Sequence, residues 1–258
     1  MNKEIPLFLL SCALLSSCAR SNVPQELVSY INGCSISNAI KDTKTIDYTF
    51  SIETKQDDSL LSSTDMRILY DNQNSEDFYR YQEENYTGEL ITYDDTHKIY
   101  LTRKERYIYF DSSRELYQDI TYYIGYEKEG DENKRIKGEE VLYKPSQIES
   151  VRENIFRSQS TSSISKGGVY YADFFSNLLS YYDYMKIEDG IFTYTLENYP
   201  YKNNTEEGLI DEVIHMNQKG LLIDLYQKAR NTKTKKESIM NVKAVYDSSF
   251  ERRYYTED

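Results

Sequence analysis

Between residues 45 and 53 the chain alternates without an error: Ile46, Tyr48, Phe50 and Ile52 on one parity, and Thr45, Asp47, Thr49, Ser51 and Glu53 on the other. A period of two sends successive side chains to opposite faces, so this stretch reads as a strand with one face buried and one in water. Shorter patterns of the same kind recur at 66–70, 78–81, 90–93, 97–102 and 106–110, and 116–126 makes a longer one in which Leu116, Ile120, Tyr122, Ile124 and Tyr126 share a face. The period returns at 192–196, 209–216, 221–226 and 240–246. Turn-rich clusters such as Asp71-Asn72-Gln73-Asn74-Ser75 separate the runs, and Asn217-Gln218-Lys219-Gly220 reads as a hairpin turn. Strands in succession with short connections specify an antiparallel sheet.

Helical spacing interrupts this order. Pro24 opens a stretch in which Leu27, Val28, Ile31, Ile36, Ala39 and Ile40 follow at mostly helical intervals, with Gly33 as a kink. A short helix is expected at 146–157, then a Ser/Gly-rich hinge or lid at 158–168. Tyr171, Phe174, Phe175, Leu178, Tyr182 and Met185 then mark an amphipathic helix of about four turns, which Glu188-Asp189-Gly190 stops. Residues 127–140, rich in charge, read as a solvated loop and not as a calcium site, because their oxygens lack the spacing of an EF-hand. Segregated strand runs around one helical block indicate an α+β domain over residues 25–258.

The first residues are an address. Lys3 precedes an apolar run at 5–15, too short for the roughly 20 residues a membrane-spanning helix needs. Leu15-Ser16-Ser17-Cys18 resembles the lipobox of bacterial lipoproteins. The resemblance implies a signal peptide at 1–17, removed after Cys18 receives diacylglycerol, and a protein held outside the cytoplasm on a bacterial membrane by that lipid. Residues 19–24 are the tether, at most about 20 Å when extended, so the folded part sits close to the bilayer. Cys34 is then a lone thiol, read as a small buried helix residue.

Composition narrows the function. The chain of 258 residues carries a net charge of -12, which argues against a nucleic-acid partner that needs a basic stripe. It has 27 Tyr and no Trp, so its apolar mass is phenolic and suited to half-wet surfaces. No Gly-x-Ser-x-Gly elbow, P-loop or Gly-x-Gly-x-x-Gly occurs. His97 and His215 lack partners at zinc-ligand spacing, and the pairs Asp57-Asp58 and Asp94-Asp95 read as turn residues because neighbours on a strand face opposite ways. No enzyme activity, metal or cofactor is expected.

The order of elements, a leading helix, about seven strands, a central pair of helices and four final strands, resembles the Lol-type (LolA/LolB-like) lipoprotein carriers and the mycobacterial LppX/LprG-like lipid-carrier lipoproteins. The resemblance implies a large curved antiparallel sheet, a half-open barrel of about 11 strands, with helices covering one face and acyl chains held between. Tyr48, Phe50, Phe174, Leu178, Tyr194 and Val242 are the candidate lining residues, although for any one of them plain core is the simpler reading, since every domain of a sheet with helices needs such faces. Lys228, Arg230, Lys233, Lys235 and Lys236, without an acid among them, mark the tip of the last hairpin, a solvated loop or a contact with anionic headgroups. The expected function is binding or shuttling of a lipid or other hydrophobic ligand beside the membrane. The alternative is a protein-interaction or structural module of the envelope that uses a Tyr-rich face.

Overall fold

The computed structural model describes residues 23–34, 43–73, 77–92, 98–128, 131–152, 154, 179–202 and 207–254. After helix α1 (Gln25–Gly33) come β1 (Thr45–Gln56), β2 (Ser59–Asp71), β3 (Tyr79–Thr92), β4 (Lys98–Asp111), β5 (Leu116–Tyr126) and β6 (Lys134–Tyr143). Following a long link come β7 (Met185–Glu188), β8 (Ile191–Lys202), β9 (Glu207–Met216), β10 (Leu222–Asn231) and β11 (Lys236–Tyr246). All join one 11-stranded sheet in the order β6-β5-β4-β3-β2-β1-β11-β10-β9-β8-β7. Every pairing is antiparallel.

The sheet is two meanders fused at one seam. Neighbours in the sheet are consecutive in the chain everywhere except where β1 meets β11, from Ile46 opposite Tyr246 to Gln56 opposite Lys236. β6 and β7 are the two edges, so the link between Tyr143 and Met185 must carry the chain from one edge to the other, roughly 45 Å along the sheet at the usual strand spacing. Both described ends of that link lie against one face: Ile148 and Val151 beyond β6, and Tyr181 and Tyr182 before β7, pack into the main apolar cluster.

The expected class is corrected here. The molecule is one large open antiparallel sheet, and a helix-covered α+β domain is not what the described residues form. Their longest helix is α1, of nine residues. Where four helical turns were expected up to Met185, residues Leu179–Tyr184 form a 3-10 segment kinked at Tyr181, and Met185 already belongs to β7. Thr193 and Phe192 of β8 recruit this segment as an edge strand opposite Lys186 and Ile187, so tertiary pairing overrides the helical spacing. The rest of that expected helix, residues 171–178, lies outside the described residues, as do the expected hinge at 158–168 and the leader with Cys18.

Other boundaries moved for electrostatic reasons. The expected pairs at 78–81 with 90–93, and 97–102 with 106–110, are single strands β3 and β4, each passing a register shift. Their middles carry charge on both faces, which hides the period, and the charges are paired: Lys104 with Glu84 at 3.6 Å, Arg103 with Glu105 at 3.1 Å. Half of the expected loop at 127–140 is strand β6. As an edge it is lined with charge, which protects an exposed ladder from pairing with another chain. Helix α1 ends at Gly33, and Cys34 is its half-buried C-cap, not a buried helix residue. Asp57 and Asp58 do form a turn, both with positive φ (48° and 64°).

Candidate ligand-binding site

Alternation along five adjacent strands assembles one apolar face. Ile46, Tyr48 and Phe50 of β1, Met240, Val242 and Ala244 of β11, Leu225 of β10, Ile214 and Met216 of β9, and Phe192, Tyr194 and Leu196 of β8 all belong to the main buried cluster. Register explains why they meet. Phe50 lies opposite both Val242 and Met66, Tyr48 opposite Ala244 and Ile68, and Tyr194 opposite Ile214, and side chains directly opposite in an antiparallel pair share a face. The face continues onto β2 through Met66, Ile68 and Tyr70. Described side chains also come to it from outside the sheet. They include Leu27 and Ile31 of α1, Ile148, and the partly buried Val151, Tyr181 and Tyr182.

Four of the six expected lining residues therefore stand together. Tyr48, Phe50, Tyr194 and Val242 are 1%, 4%, 5% and 4% exposed. Phe174 and Leu178 lie outside the described residues. A cavity of about 300 Å³ at the seam touches Phe50, Met66 and Val242, but most of its lining, including Thr49, Asp65, Arg67, Asn241 and Lys243, is of the outward parity, so it opens on the opposite face of the sheet. Burial pushes the Tyr48 phenol well above its ordinary range, so it is a neutral hydrogen-bonding group on an otherwise apolar surface.

Two polar features break that face, and neither was singled out from the sequence. Glu212 of β9 lies opposite Gln227 of β10 and accepts a hydrogen bond of 3.1 Å from its amide. Burial pushes the Glu212 carboxyl up to about 7, with the Gln227 bond opposing. Arg80 of β3 lies opposite Tyr70 and Ile108, at the border of the apolar cluster, and is 7% exposed. The signal was present in both cases: a charged residue stands at an inward parity, Val213 and Tyr79 being the outward neighbours.

The basic tip is a hairpin end, as expected, but it is not free charge. Lys228 pairs with Glu237 at 2.8 Å, Arg230 with Asp211 at 2.7 Å, and Lys233 with Glu207 at 3.0 Å. Cross-strand partners from β9 and β11 supply the acids missing from the local sequence. Lys235 sits in the turn with φ 58°, and Lys236 begins β11 opposite Gln56. Any headgroup would compete with carboxylates already in place. His215 lies against Asp224 at 2.7 Å, while His97 and the pair Asp94-Asp95 are outside the described residues. Among the described residues no group of three or more His, Cys, Asp or Glu side chains is placed to hold a metal ion, and no helix is long and apolar enough to cross a membrane.

Among the described residues, several tyrosines are buried away from the apolar cluster. On the side of the sheet opposite the apolar cluster, Tyr79, Tyr81, Tyr107 and Tyr122 build a second buried cluster with Leu69 and Ile120. The C-terminal segment lies across it. Phe250 packs on the cluster, Arg252 pairs with Asp71 and Asp77 at 2.8 Å each, and Arg253 pairs with Glu83 at 2.9 Å. Arg253 also stands over the Tyr81 ring at 5.2 Å.

No family model matches the sequence, and no curated protein matches it. Among solved structures, the chain is similar to a DUF1329 family protein from Desulfovibrio piger, at 10% identity and TM-score 0.26 over 87% of this chain and 95% of that one. It is also similar to a putative outer membrane lipoprotein-sorting protein domain from Vibrio parahaemolyticus, at 14% identity and TM-score 0.21 over 84% and 92%. At those TM-scores neither likeness says anything about what this chain binds.

Proposed function

We propose that the chain is a lipid-anchored protein of the bacterial envelope that holds or shuttles a lipid or another apolar molecule, without catalysing a reaction. The observation that carries this is the single apolar face spread over β8, β9, β10, β11, β1 and β2, broken by the buried polar pair Glu212 and Gln227. A continuous apolar surface with a few placed polar groups is the usual chemistry of a pocket for an apolar ligand. The lipobox-like Leu15-Ser16-Ser17-Cys18 supports the anchor, and the lack of hydrolase and nucleotide fingerprints in the sequence supports a binder over an enzyme.

The test is native mass spectrometry of the chain from Ala19 onward, purified without detergent, with organic extraction of whatever accompanies it. Stoichiometric excess mass that passes into the organic phase as lipid is the expected result, and Phe50→Asp, which puts a charge on the face, abolishes it. A clean apo mass together with no uptake of added phospholipid by the unaltered protein overturns the reading.

A further inference from the structure

Among the described residues, Arg80 is a buried cation without a counter-ion in contact. Its side chain borders a cavity of about 340 Å³ shared with Arg106, Asp119, Tyr143, Gln147 and Ser150. Its Nη2 donates to the Gln82 side-chain oxygen at 2.7 Å, and its buried Nε has no hydrogen-bond partner. Among the described residues, the one carboxylate bordering the cavity is already engaged. Asp119 accepts both arms of Arg106, at 2.8 Å from Nε and 2.6 Å from Nη2, the two-point geometry that satisfies a carboxylate. Glu84 is held by the Gln82 amide at 2.6 Å, so it is one residue removed from Arg80. Arg152, which bonds Asn72 beside Tyr70, adds positive charge on the same side.

A guanidinium taken out of water without an anion is costly. Burial, assisted by the neighbouring Arg106 charge, draws the Arg80 guanidinium down to about 10, which still leaves it charged at neutral pH. The donors left around the cavity are those of Arg80, the arm of Arg106 that Asp119 does not take, and the Tyr143 hydroxyl; Ser150 donates to the Gln147 carbonyl at 2.8 Å. These donors suit a phosphate, which offers more acceptors and more charge than a carboxylate.

We propose that the cavity between β3, β4, β5 and the turn after β6 is a phosphate-binding site in which Arg80 is the principal ligand and Arg106, steadied by Asp119, is the second. Its position says how such a group arrives. Tyr70 and Ile108, opposite Arg80, are members of the apolar cluster, so an acidic lipid with its chains on that face places its headgroup here. This lipid source rests on the function proposed above; a free phosphate does not, and both present the same chemistry to Arg80.

The experiment is calorimetric titration of the full chain in a neutral detergent with inorganic phosphate, dihexanoylphosphatidic acid and dihexanoylphosphatidylcholine. Binding of inorganic phosphate or of phosphatidic acid, weakened at least tenfold by Arg80→Gln and less by Arg80→Lys, is the expected result, with phosphatidylcholine, whose phosphate is a diester, binding more weakly. Phosphatidic acid binding at least tenfold tighter than phosphate identifies a lipid headgroup, while equal affinities identify a free oxyanion. No binding of either probe, or binding unchanged within twofold in Arg80→Gln, overturns the site. Should Arg80→Gln not fold, Arg106→Gln serves: it releases Asp119 to neutralise Arg80, and again at least a tenfold loss is expected. Lipid that co-purifies with an unaltered apolar face while both phosphate probes fail sinks this site and leaves the carrier reading standing.

Discussion

The hydroxyl of Tyr79 holds both backbone groups of Arg253, donating to its carbonyl at 2.8 Å and accepting from its N–H at 2.6 Å across 174 positions of sequence. Together with the ion pairs of Arg252 and Arg253, this pins the segment after β11 over a buried cluster of tyrosines. The Tyr79 phenol, largely withdrawn from water, is pushed up to about 12, so it stays a donor at any physiological pH.

Tyr79→Phe keeps the ring and strands two backbone groups of Arg253. A loss of about 1–3 kcal/mol is expected in urea unfolding, with faster hydrogen exchange at the Arg253 amide than at β11. Unchanged protection of that amide would show that the arginine pairs alone hold the segment.

Glu212 makes stability depend on pH in the direction opposite to most carboxylates. Its folded value, about 7, stands above its ordinary 4.5, so the folded state keeps the proton longer than the unfolded state does. Its contribution is complete below about 4.5, falls as the pH rises toward 7, and is gone above it, a difference on the order of 3 kcal/mol. Glu83, Asp111, Glu140 and Glu207 are held below the usual range and act the other way. The quantity to measure is therefore the gap between Glu212→Gln and the parent: near zero at pH 4.5, and in favour of the variant at pH 8. A gap independent of pH would place Glu212 in water.

The β1–β2 turn carries strain that its residues do not need. Asp57 and Asp58 both adopt left-handed backbone, which Asn and Gly adopt more readily. Replacing the pair by Asn-Gly is expected to raise stability by roughly 0.5–1 kcal/mol, read from the urea midpoint. A lower midpoint would mean that the aspartate side chains support the turn.

Gly208 is required by a close approach. A β-carbon there meets the Arg230 carbonyl oxygen at 2.0 Å, and a backbone atom in a paired strand has nowhere to go. Gly208→Ala is expected to cost about 1–3 kcal/mol and to loosen the β9–β10 ladder, visible as faster exchange at Arg230. A neutral outcome would require the ladder to shift register there.

How much was legible follows from how each signal is written. The alternation at Ile46, Tyr48, Phe50 and Ile52 located β1 and its inward face, and the same pattern at Met240, Val242 and Ala244 located β11. Their direct pairing, Phe50 opposite Val242, lies beyond any local pattern because it joins segments far apart in the chain. The helical spacing of Tyr182 and Met185 misled, since both residues pack on the apolar cluster from a 3-10 turn and an edge strand as readily as from a helix. Charge hid strands: the acids of β3 and the bases of β4 and β6 neutralise one another only once paired. The same cause made the basic tip look isolated, its carboxylates arriving from Glu207, Asp211 and Glu237. Arg80 and Glu212 were visible only as polar residues at inward positions, a signal that needs the sheet to acquire meaning.

The seam between β1 and β11 also sets an order of events. A chain that emerges N-terminus first presents β1 with one side already paired to β2 and the other side bare until the last strand is delivered. Each meander needs only neighbouring hairpins, which close quickly, whereas the joining contact spans nearly the whole chain and is slow to find. For that interval β1 is an unprotected edge with an apolar face beside it, the kind of surface that pairs with other chains. Folding of this protein thus ends on one late zippering step, and the interval before it is when an escorting chaperone matters most.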